Sequence, residues 1–312
     1  MAGADHVFPF GPQSDPVTSG AELLTGAREE PRTVPTADSL RRHVRIAPTA
    51  GWPRPNWSEL WEYRGLFLFL VWRDVKVRYA QTVLGATWAV FQPVVTMVVF
   101  TIIFGRFVRV GSDGVPYPVF SLAALVPWTY FASALTGASN SLVNSRHLIT
   151  KIYFPRLVIP GAAVLSSLVD FAIALSVLLL VMMWYGWYPG PRAIAILPLL
   201  LLMMMTALGT GCWLSALNIQ YRDIKHSTGF LVQIWMYASP IVYSLSVVPP
   251  GYRLLYAVNP MVGAVAGFRA ALLGTPGPSM AELGVSFATA TVLLVGGVLY
   301  FRRTERIFAD VA

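Results

Sequence analysis

The stretch VIPGAAVLSSLVDFAIALSVLLLVMMWY, residues 158–185, decides the fold. It contains a single charged residue, Asp170, and is longer than the ~20 mostly apolar residues that an α-helix needs to cross a bilayer. The sequence therefore predicts a membrane-spanning helix at this position.

Five further stretches continue this pattern, namely residues 83–105, 117–140, 193–217, 229–248 and 283–301. The chain of 312 residues is 55% hydrophobic and 12% charged, with a mean hydropathy of +0.59. Soluble domains carry about twice that share of charge, roughly 25%. A soluble enzyme and a disordered chain are both excluded. Residues 56–312 are predicted to be an all-α integral membrane protein with six transmembrane helices.

Lysine and arginine are distributed unevenly between the two faces of the predicted membrane domain. Twelve fall on one face: Arg64, Arg73, Lys76, Arg78, Arg146, Lys151, Arg156, Arg222, Lys225, Arg302, Arg303 and Arg306. Five fall on the other: Arg106, Arg109, Arg192, Arg253 and Arg269. The positive-inside rule places the first face, and with it both termini, in the cytoplasm. The net charge of +8 is thus a topology signal rather than evidence for a nucleic-acid partner.

Residues 1–55 differ from the rest in composition, with eight of the 23 prolines and no apolar periodicity. They are predicted to be a disordered, Pro-rich cytoplasmic tail. The single cysteine, Cys212, excludes a disulfide framework and any cysteine-based metal site. We expect no metal in this chain.

Three segments between the spans have amphipathic patterns. Residues 56–79 predict an N-terminal amphipathic helix at the membrane interface, either a surface anchor or a collar around a partner or substrate entrance. The basic loop at residues 144–160 predicts a short helix that packs on a partner protein or on lipid, and residues 218–226 are similar. Residues 249–275 break at Asn259-Pro260 and predict an outer re-entrant helical hairpin, with Gly274 as its C-terminal cap. On the interface helix the predicted apolar side consists of Trp57, Leu60, Trp61, Leu68 and Trp72.

Few residues offer chemistry. Asp170 is an intramembrane acid without a basic residue at matching depth in another span, so it is either protonated and hydrogen-bonded or in contact with an ion or substrate. Arg73, Lys76 and Arg78 suit either phosphate binding or interfacial anchoring. Aromatic residues in the spans suit sugar stacking, lipid contact or core packing. No phosphate-binding GxxxxGK[ST] loop, GxSxG or HExxH is present, so any ATP is hydrolysed by another polypeptide and the chain is not an enzyme.

The run WEYRGLFLFLVWRDVKVRYAQTVLGATWAVFQP, residues 61–93, resembles the start of the polysaccharide-export permeases. These are the membrane subunits of ABC transporters with the type-2 exporter fold, which export O-antigen, teichoic acid and related cell-wall glycans in bacteria. KIYFPR (residues 151–156), NIQYRDIKH (residues 218–226) and VNP (residues 258–260) are similar to the same family. The resemblance covers about residues 56–305.

This resemblance implies a homodimer in the bacterial plasma membrane with two separate ATPase subunits, which bind the ATP and Mg. It implies that the interface helix and the cytoplasmic loops contact the ATPase, and that the cargo is a polyprenyl-diphosphate-linked glycan. The implied coupling residues are Arg146, His147, Lys151, Tyr153, Phe154, Arg156, Arg222 and Asp223. The implied channel aromatics, in the first and fifth spans, are Trp88, Phe91, Phe100, Trp235, Tyr237 and Tyr243. The diphosphate would lie near Arg73, Lys76 and Arg78, and the outer gate at Asn259, Pro260 and Phe268.

Three alternatives remain open from the sequence. The first is a type-2 ABC permease for a drug or lipid. The second is a non-ABC membrane enzyme acting on polyprenyl-linked sugars, for which no catalytic cluster is found. The third is an ion-coupled transporter, for which a single acid, Asp170, and the lack of an internal repeat are poor support.

Overall fold

The computed structural model describes residues 61–80, 87–149, 154–221 and 223–305, which contain helices and connecting segments but no strand. The predicted tail at residues 1–55 lies outside the described residues, as do Lys151, Tyr153 and Arg222. The helices are α1 (Arg64–Ala80), α2 (Thr87–Phe100), α3 (Tyr117–Asn144), α4 (Arg146–Ile149), α5 (Val158–Trp184), α6 (Ile196–Gln220), α7 (Ile224–Tyr237), α8 (Pro250–Tyr256), α9 (Pro260–Leu273) and α10 (Met280–Thr304).

The multi-span architecture is confirmed. Five described segments are long and apolar enough to cross a membrane: Val90–Phe107, Tyr117–Asn144, Val158–Trp184, Pro191–Gln220 and Met280–Thr304. In the first, α2 continues as a π-helix over Thr101–Phe107. Helices α8 and α9 form a pair bent by 116° at Asn259, which could count as a sixth, broken span. The predicted cap is present, since Gly274 is left-handed with φ 71°.

The fifth predicted span, residues 229–248, is not one helix. Helix α7 begins earlier, at Ile224, and ends at Tyr237, and residues 238–249 are mostly irregular. The physical reason is Pro240, which has no N–H to donate and disfavours helical geometry at Ser239 before it. The chain therefore changes direction inside the segment that composition alone assigned to a span.

Helix α3 lies at the centre of the bundle and packs against α5, α6 and α9. Of its most apolar window, 78% is buried, against 33% for α5 and 6% for Val90–Phe107. Ser121, Ser139 and Ser141 are buried, as expected where small polar residues face neighbouring helices rather than lipid.

Helices α6 and α10 approach closely through glycine. A methyl group added at Gly209 would lie 2.5 Å from the backbone carbon of Leu293, which no side-chain movement can relieve. Gly284, elsewhere on α10, has open space around it. The two positions form a matched pair for testing this contact.

We expect Gly209→Ala to lower the free energy of unfolding by about 1–3 kcal/mol, because overpacking forces the helices apart. Gly284→Ala should leave stability unchanged or slightly raised, because alanine favours the helix. Cys212 is the single cysteine of the chain and is fully buried, so a thiol-reactive dye reports thermal unfolding. Equal melting temperatures for the two variants would contradict the close contact.

Candidate functional site

A cavity of about 770 Å³ opens between α1, α2, α3, α5 and α7. Its wall combines the rings of Trp88, Trp128 and Tyr130 with a set of polar side chains. These polar groups are Gln92, Thr96, Thr129, Ser133 and Thr136. Aromatic faces together with hydroxyl and amide groups bind molecules that present both C–H surfaces and hydroxyls.

The polar lining residues follow helical spacing. Gln92 and Thr96 are four residues apart on α2, and Thr129, Ser133 and Thr136 follow at intervals of four and three on α3. Such spacing places each set on one helix face. These rows are not among the residues predicted to form a site, although the periodicity of polar residues within apolar spans is visible in the sequence.

Helix α1 reaches the cavity because it runs alongside α5. The ring of Phe67 lies against Gly161 near the start of α5, where an added methyl would be 3.3 Å from the ring. Eleven residues further along α1, Arg78 meets Asp170, nine residues further along α5. The two helices therefore run in the same direction, and the C-terminal end of α1 lies beside the middle of a span.

The described residues of the predicted apolar side do not pack on the bundle. Trp61, Leu68 and Trp72 are 64–72% exposed. A different stripe packs on the helical bundle, with Leu70 buried among Leu157, Phe301 and their neighbours. This stripe is Tyr63, Leu66, Phe67, Leu70 and Val71. Both sides of α1 are apolar, and only one contacts the described bundle.

Asp170 has a counter-ion, contrary to the sequence analysis. Arg78 forms an ion pair with one carboxylate oxygen of Asp170, and the Tyr79 hydroxyl donates a hydrogen bond to the other. This partner lies on α1, outside the predicted spans. Burial raises the pKa of Tyr79 to about 12, with the hydrogen bond to Asp170 adding to the effect, so the phenol remains a donor at neutral pH.

The other two predicted collar residues are arranged differently. Arg73 donates through Nε and Nη2 to Asp74 Oδ1, at 3.0 and 2.8 Å, and its Nη2 lies 3.4 Å from Ser145 Oγ. Lys76 is exposed. The three cations are thus on one helix, with Arg78 alone lining the cavity.

The predicted channel aromatics, all six of which the structure describes, are scattered. Trp88 lines the cavity and stacks edge-on against Phe91, with ring centroids 5.5 Å apart. Phe100 packs in the same way on Phe104, at 5.4 Å. Tyr237 is exposed. The other two contact the helical hairpin.

Trp235 and Tyr243 hold the hairpin to the end of α7. The indole Nε1 of Trp235 donates to Asn259 Oδ1 at 2.7 Å, and the hydroxyls of Tyr243 and Tyr256 are 2.7 Å apart. Asn259 also caps α9 by accepting from the Met261 N–H at 3.0 Å. The two rings therefore fix the break in the hairpin.

Asn259 and Pro260, two of the three predicted gate residues, lie at this same end of the bundle. Asn259 donates through Nδ2 to the carbonyl of Ala238 at 2.8 Å, and Pro260 occupies the first turn of α9. Phe268 is fully buried, with its ring 6.1 Å from that of Phe171. Helix α9 is buried over nearly its whole length.

Arg269, counted in the sequence among the cations of the outer face, is buried at 3% exposure. Its guanidinium donates to the carbonyls of Phe120 at 3.1 Å, Pro240 at 2.7 Å and Tyr243 at 2.9 Å, and also to that of Ile241. It lies over the Phe120 ring, 3.6 Å from the centroid. Arg269 thus supplies donors to carbonyls of the irregular segment after α7.

The described members of the predicted coupling set, namely Arg146, His147, Phe154, Arg156 and Asp223, lie at the opposite end of the bundle. We call it the basic end, because Arg146 and Arg156 lie there with Arg302 and Arg303 of the last turn of α10. His147 and Asp223 are exposed. Phe154 is buried in the cluster that also receives Leu70, so it faces the protein interior. Arg156 contacts Glu305 through its backbone N–H, at 3.2 Å, and through its guanidinium.

The sequence model of the ABC-2 type transporter family matches residues 65–273, which include α1, the cavity and the hairpin. The chain belongs to the ABC-2 type transporter family. It is therefore a multi-pass membrane permease subunit, a transport component rather than a catalytic one. A non-ABC membrane enzyme and an ion-coupled carrier are excluded by this membership.

Curated relatives of this ABC-2 permease match almost throughout their length. It is 30% identical over 255 residues to the O-antigen export system permease protein RfbA of Myxococcus xanthus, covering 81% of this chain and 97% of that protein. The RfbA protein of Klebsiella pneumoniae is 26% identical over 248 residues, with coverage of 79% and 94%. The polysialic acid transport protein KpsM of Escherichia coli is 23% identical over 249 residues, with coverage of 78% and 94%.

Proposed function

We propose that this chain is the permease of an ATP-driven exporter that moves polyprenyl-diphosphate-linked polysaccharide across the bacterial plasma membrane. The observation that carries the proposal is the cavity wall of tryptophan and hydroxyl side chains, which suits a chain of sugars. The printed names of the relatives, O-antigen and polysialic acid transporters, support the same cargo class. The positive-inside rule supports cytoplasmic termini, with the basic end facing the cytoplasm.

The permease is proposed to act as a homodimer with two ATP-binding subunits. Helices α2 and α7 support this arrangement, because only 6% of the Val90–Phe107 window is buried and Thr228 is the one buried residue described in α7. A second copy would cover these faces and enclose the cavity between two subunits. The ATPase would contact α4, His147 and Asp223 at the basic end, and the hairpin near Asn259, Pro260 and Phe268 would close the exit.

Purification of the complex tests this function. The chain is expressed with the ATPase encoded beside it, and the mass and ATP turnover of the complex are measured with and without polyprenyl-linked glycan. We expect two copies of each subunit and turnover that responds to the glycan. A chain that binds no ATPase, or a complex that responds to a hydrophobic drug and not to glycan, would overturn the proposal.

Export should depend on the cations of α1. We expect replacement of Arg73, Lys76 and Arg78 together by glutamine to impair glycan export while the complex still assembles, because the diphosphate loses its electrostatic partners. A variant with Arg106, Arg109 and Arg192 replaced by glutamine removes the same charge from exposed positions of the opposite face and should export normally. Export is measured as surface glycan in a strain lacking its own permease. Normal export by the first variant would remove these cations from the mechanism.

A further inference from the structure

The Arg78–Asp170–Tyr79 cluster is more than a connection between two helices, because all three residues line the cavity. Two donors from consecutive positions of α1 converge on one carboxylate. The Arg78 and Asp170 side chains are 32% and 23% exposed, so the pair is open to a molecule in the cavity. A guanidinium and a phenol that bind a carboxylate also have the chemistry to bind a phosphate group.

We propose that Arg78 and Tyr79 form the binding site for the diphosphate of the lipid-linked cargo, and that Asp170 occupies this site when no cargo is bound. The inference rests on the proposed function and adds the regulation of its site. The two carboxylate oxygens of Asp170 occupy the positions that two phosphate oxygens of the cargo would take. Binding of cargo then exchanges one anion for another at Arg78 and releases Asp170.

This exchange has a mechanical consequence for α1. In the empty state the ion pair holds the C-terminal end of α1 against the middle of α5, while Phe67 and Leu70 hold its first half. Loss of the ion pair on cargo binding leaves the second half of α1 held less tightly. Occupancy of the cavity is thereby converted into movement of a helix that begins at the basic end.

Competition and positioning make opposite predictions for Asp170. If Asp170 competes with the diphosphate, the neutral variant Asp170→Asn raises the affinity, because the site no longer has to be vacated. If Asp170 instead orients Arg78 for the ligand, the same variant lowers the affinity. The sign of the change therefore distinguishes the proposal from a purely structural ion pair.

The experiment measures binding of undecaprenyl diphosphate, without sugar, to the full chain in phosphatidylcholine nanodiscs. We expect Asp170→Asn to raise the affinity about five-fold or more. Arg78→Gln should lower it, and the double variant should match Arg78→Gln alone, since the gain requires Arg78. Unchanged or weaker binding by Asp170→Asn would overturn the proposal.

Two further arms identify the ligand chemistry. Inorganic diphosphate should compete with the lipid probe, whereas nanodiscs containing phosphatidylglycerol should leave its affinity unchanged. Equal competition by phosphatidylglycerol would assign the site to bulk lipid and overturn its assignment to cargo. Wild-type glycan export is measured in parallel. If the wild-type protein exports glycan but Asp170→Asn binds undecaprenyl diphosphate no more tightly, this inference alone is refuted. If the ATP turnover of the wild-type complex does not respond to glycan, the proposed function is refuted.

A measurement on otherwise native protein covers the case in which Asp170→Asn does not fold. Val77 is exposed at the end of α1, and Cys212 is buried, so a cysteine at position 77 takes a spin label selectively. We expect undecaprenyl diphosphate to increase the mobility of this label as the ion pair opens. A label whose mobility does not change at saturating ligand would contradict the exchange.

Discussion

Replacement of Arg269 by leucine should destabilise the protein by about 3 kcal/mol or more. Each buried carbonyl that loses its donor costs about 1–3 kcal/mol, and Arg269 serves four of them. Those of Pro240, Ile241 and Tyr243 belong to the irregular segment after α7, where no helix supplies a substitute. We expect a large fall in the melting temperature reported by dye labelling of Cys212, and a low yield from the membrane.

Arg253 provides the matched control on the other half of the hairpin. It also donates to backbone carbonyls, to Val248 at 2.9 Å and to Ser246 at 3.3 Å, but it is only partly buried. Water replaces these donors when Arg253 becomes leucine, so the melting temperature should change little. Arg269→Lys should fall between, because an ammonium keeps the charge but lacks the planar fork. Similar melting temperatures for Arg269→Leu and Arg253→Leu would show that burial of the guanidinium does not determine the loss of stability.

The sequence predicted the spans well because a bilayer sets both their length and their composition. Four predicted spans each coincide with a long helix, namely residues 117–140, 158–185, 193–217 and 283–301. The predicted break at Asn259-Pro260 coincides with the bend between α8 and α9. The irregular segment after α7 was not predicted. The hydropathy of residues 229–248 does not distinguish a helix from a buried irregular segment whose carbonyls accept hydrogen bonds from a side chain. Arg269 donates to these carbonyls from 26–29 residues away in the chain.

The cavity was harder to predict, since it depends on which helices meet. Asp170 and Arg78 were both identified, but their pairing depends on α1 lying beside α5 rather than flat at the interface. Of the predicted channel aromatics, Trp88 lines the cavity, whereas Phe100 packs on Phe104 and Trp235 donates to Asn259. Polar rows such as Thr129 and Ser133 carried the more useful signal, because a helix face inside a membrane has little reason to repeat hydroxyl groups unless they face protein or a cavity.

A bulky residue in the cavity should stop transport without disturbing the fold. Thr96 lines the cavity on α2, and its hydroxyl donates to the Gln92 carbonyl four residues earlier, at 2.8 Å. Tryptophan at this position projects into the open space and leaves the backbone of the helix intact. We expect Thr96→Trp to reduce glycan export to background while the complex with the ATPase still forms and hydrolyses ATP.

Thr291 on α10 makes the corresponding control. It is exposed, and its hydroxyl donates to the Phe287 carbonyl four residues earlier, also at 2.8 Å, but it does not line the cavity. Thr291→Trp therefore introduces the same side chain into a span and removes an equivalent hydrogen bond. This variant should export at the wild-type level. Wild-type export by Thr96→Trp as well would mean that cargo does not pass along this wall. Loss of export in both would point to a general effect of tryptophan in the spans, and only a difference between them locates the pathway between α2 and α3.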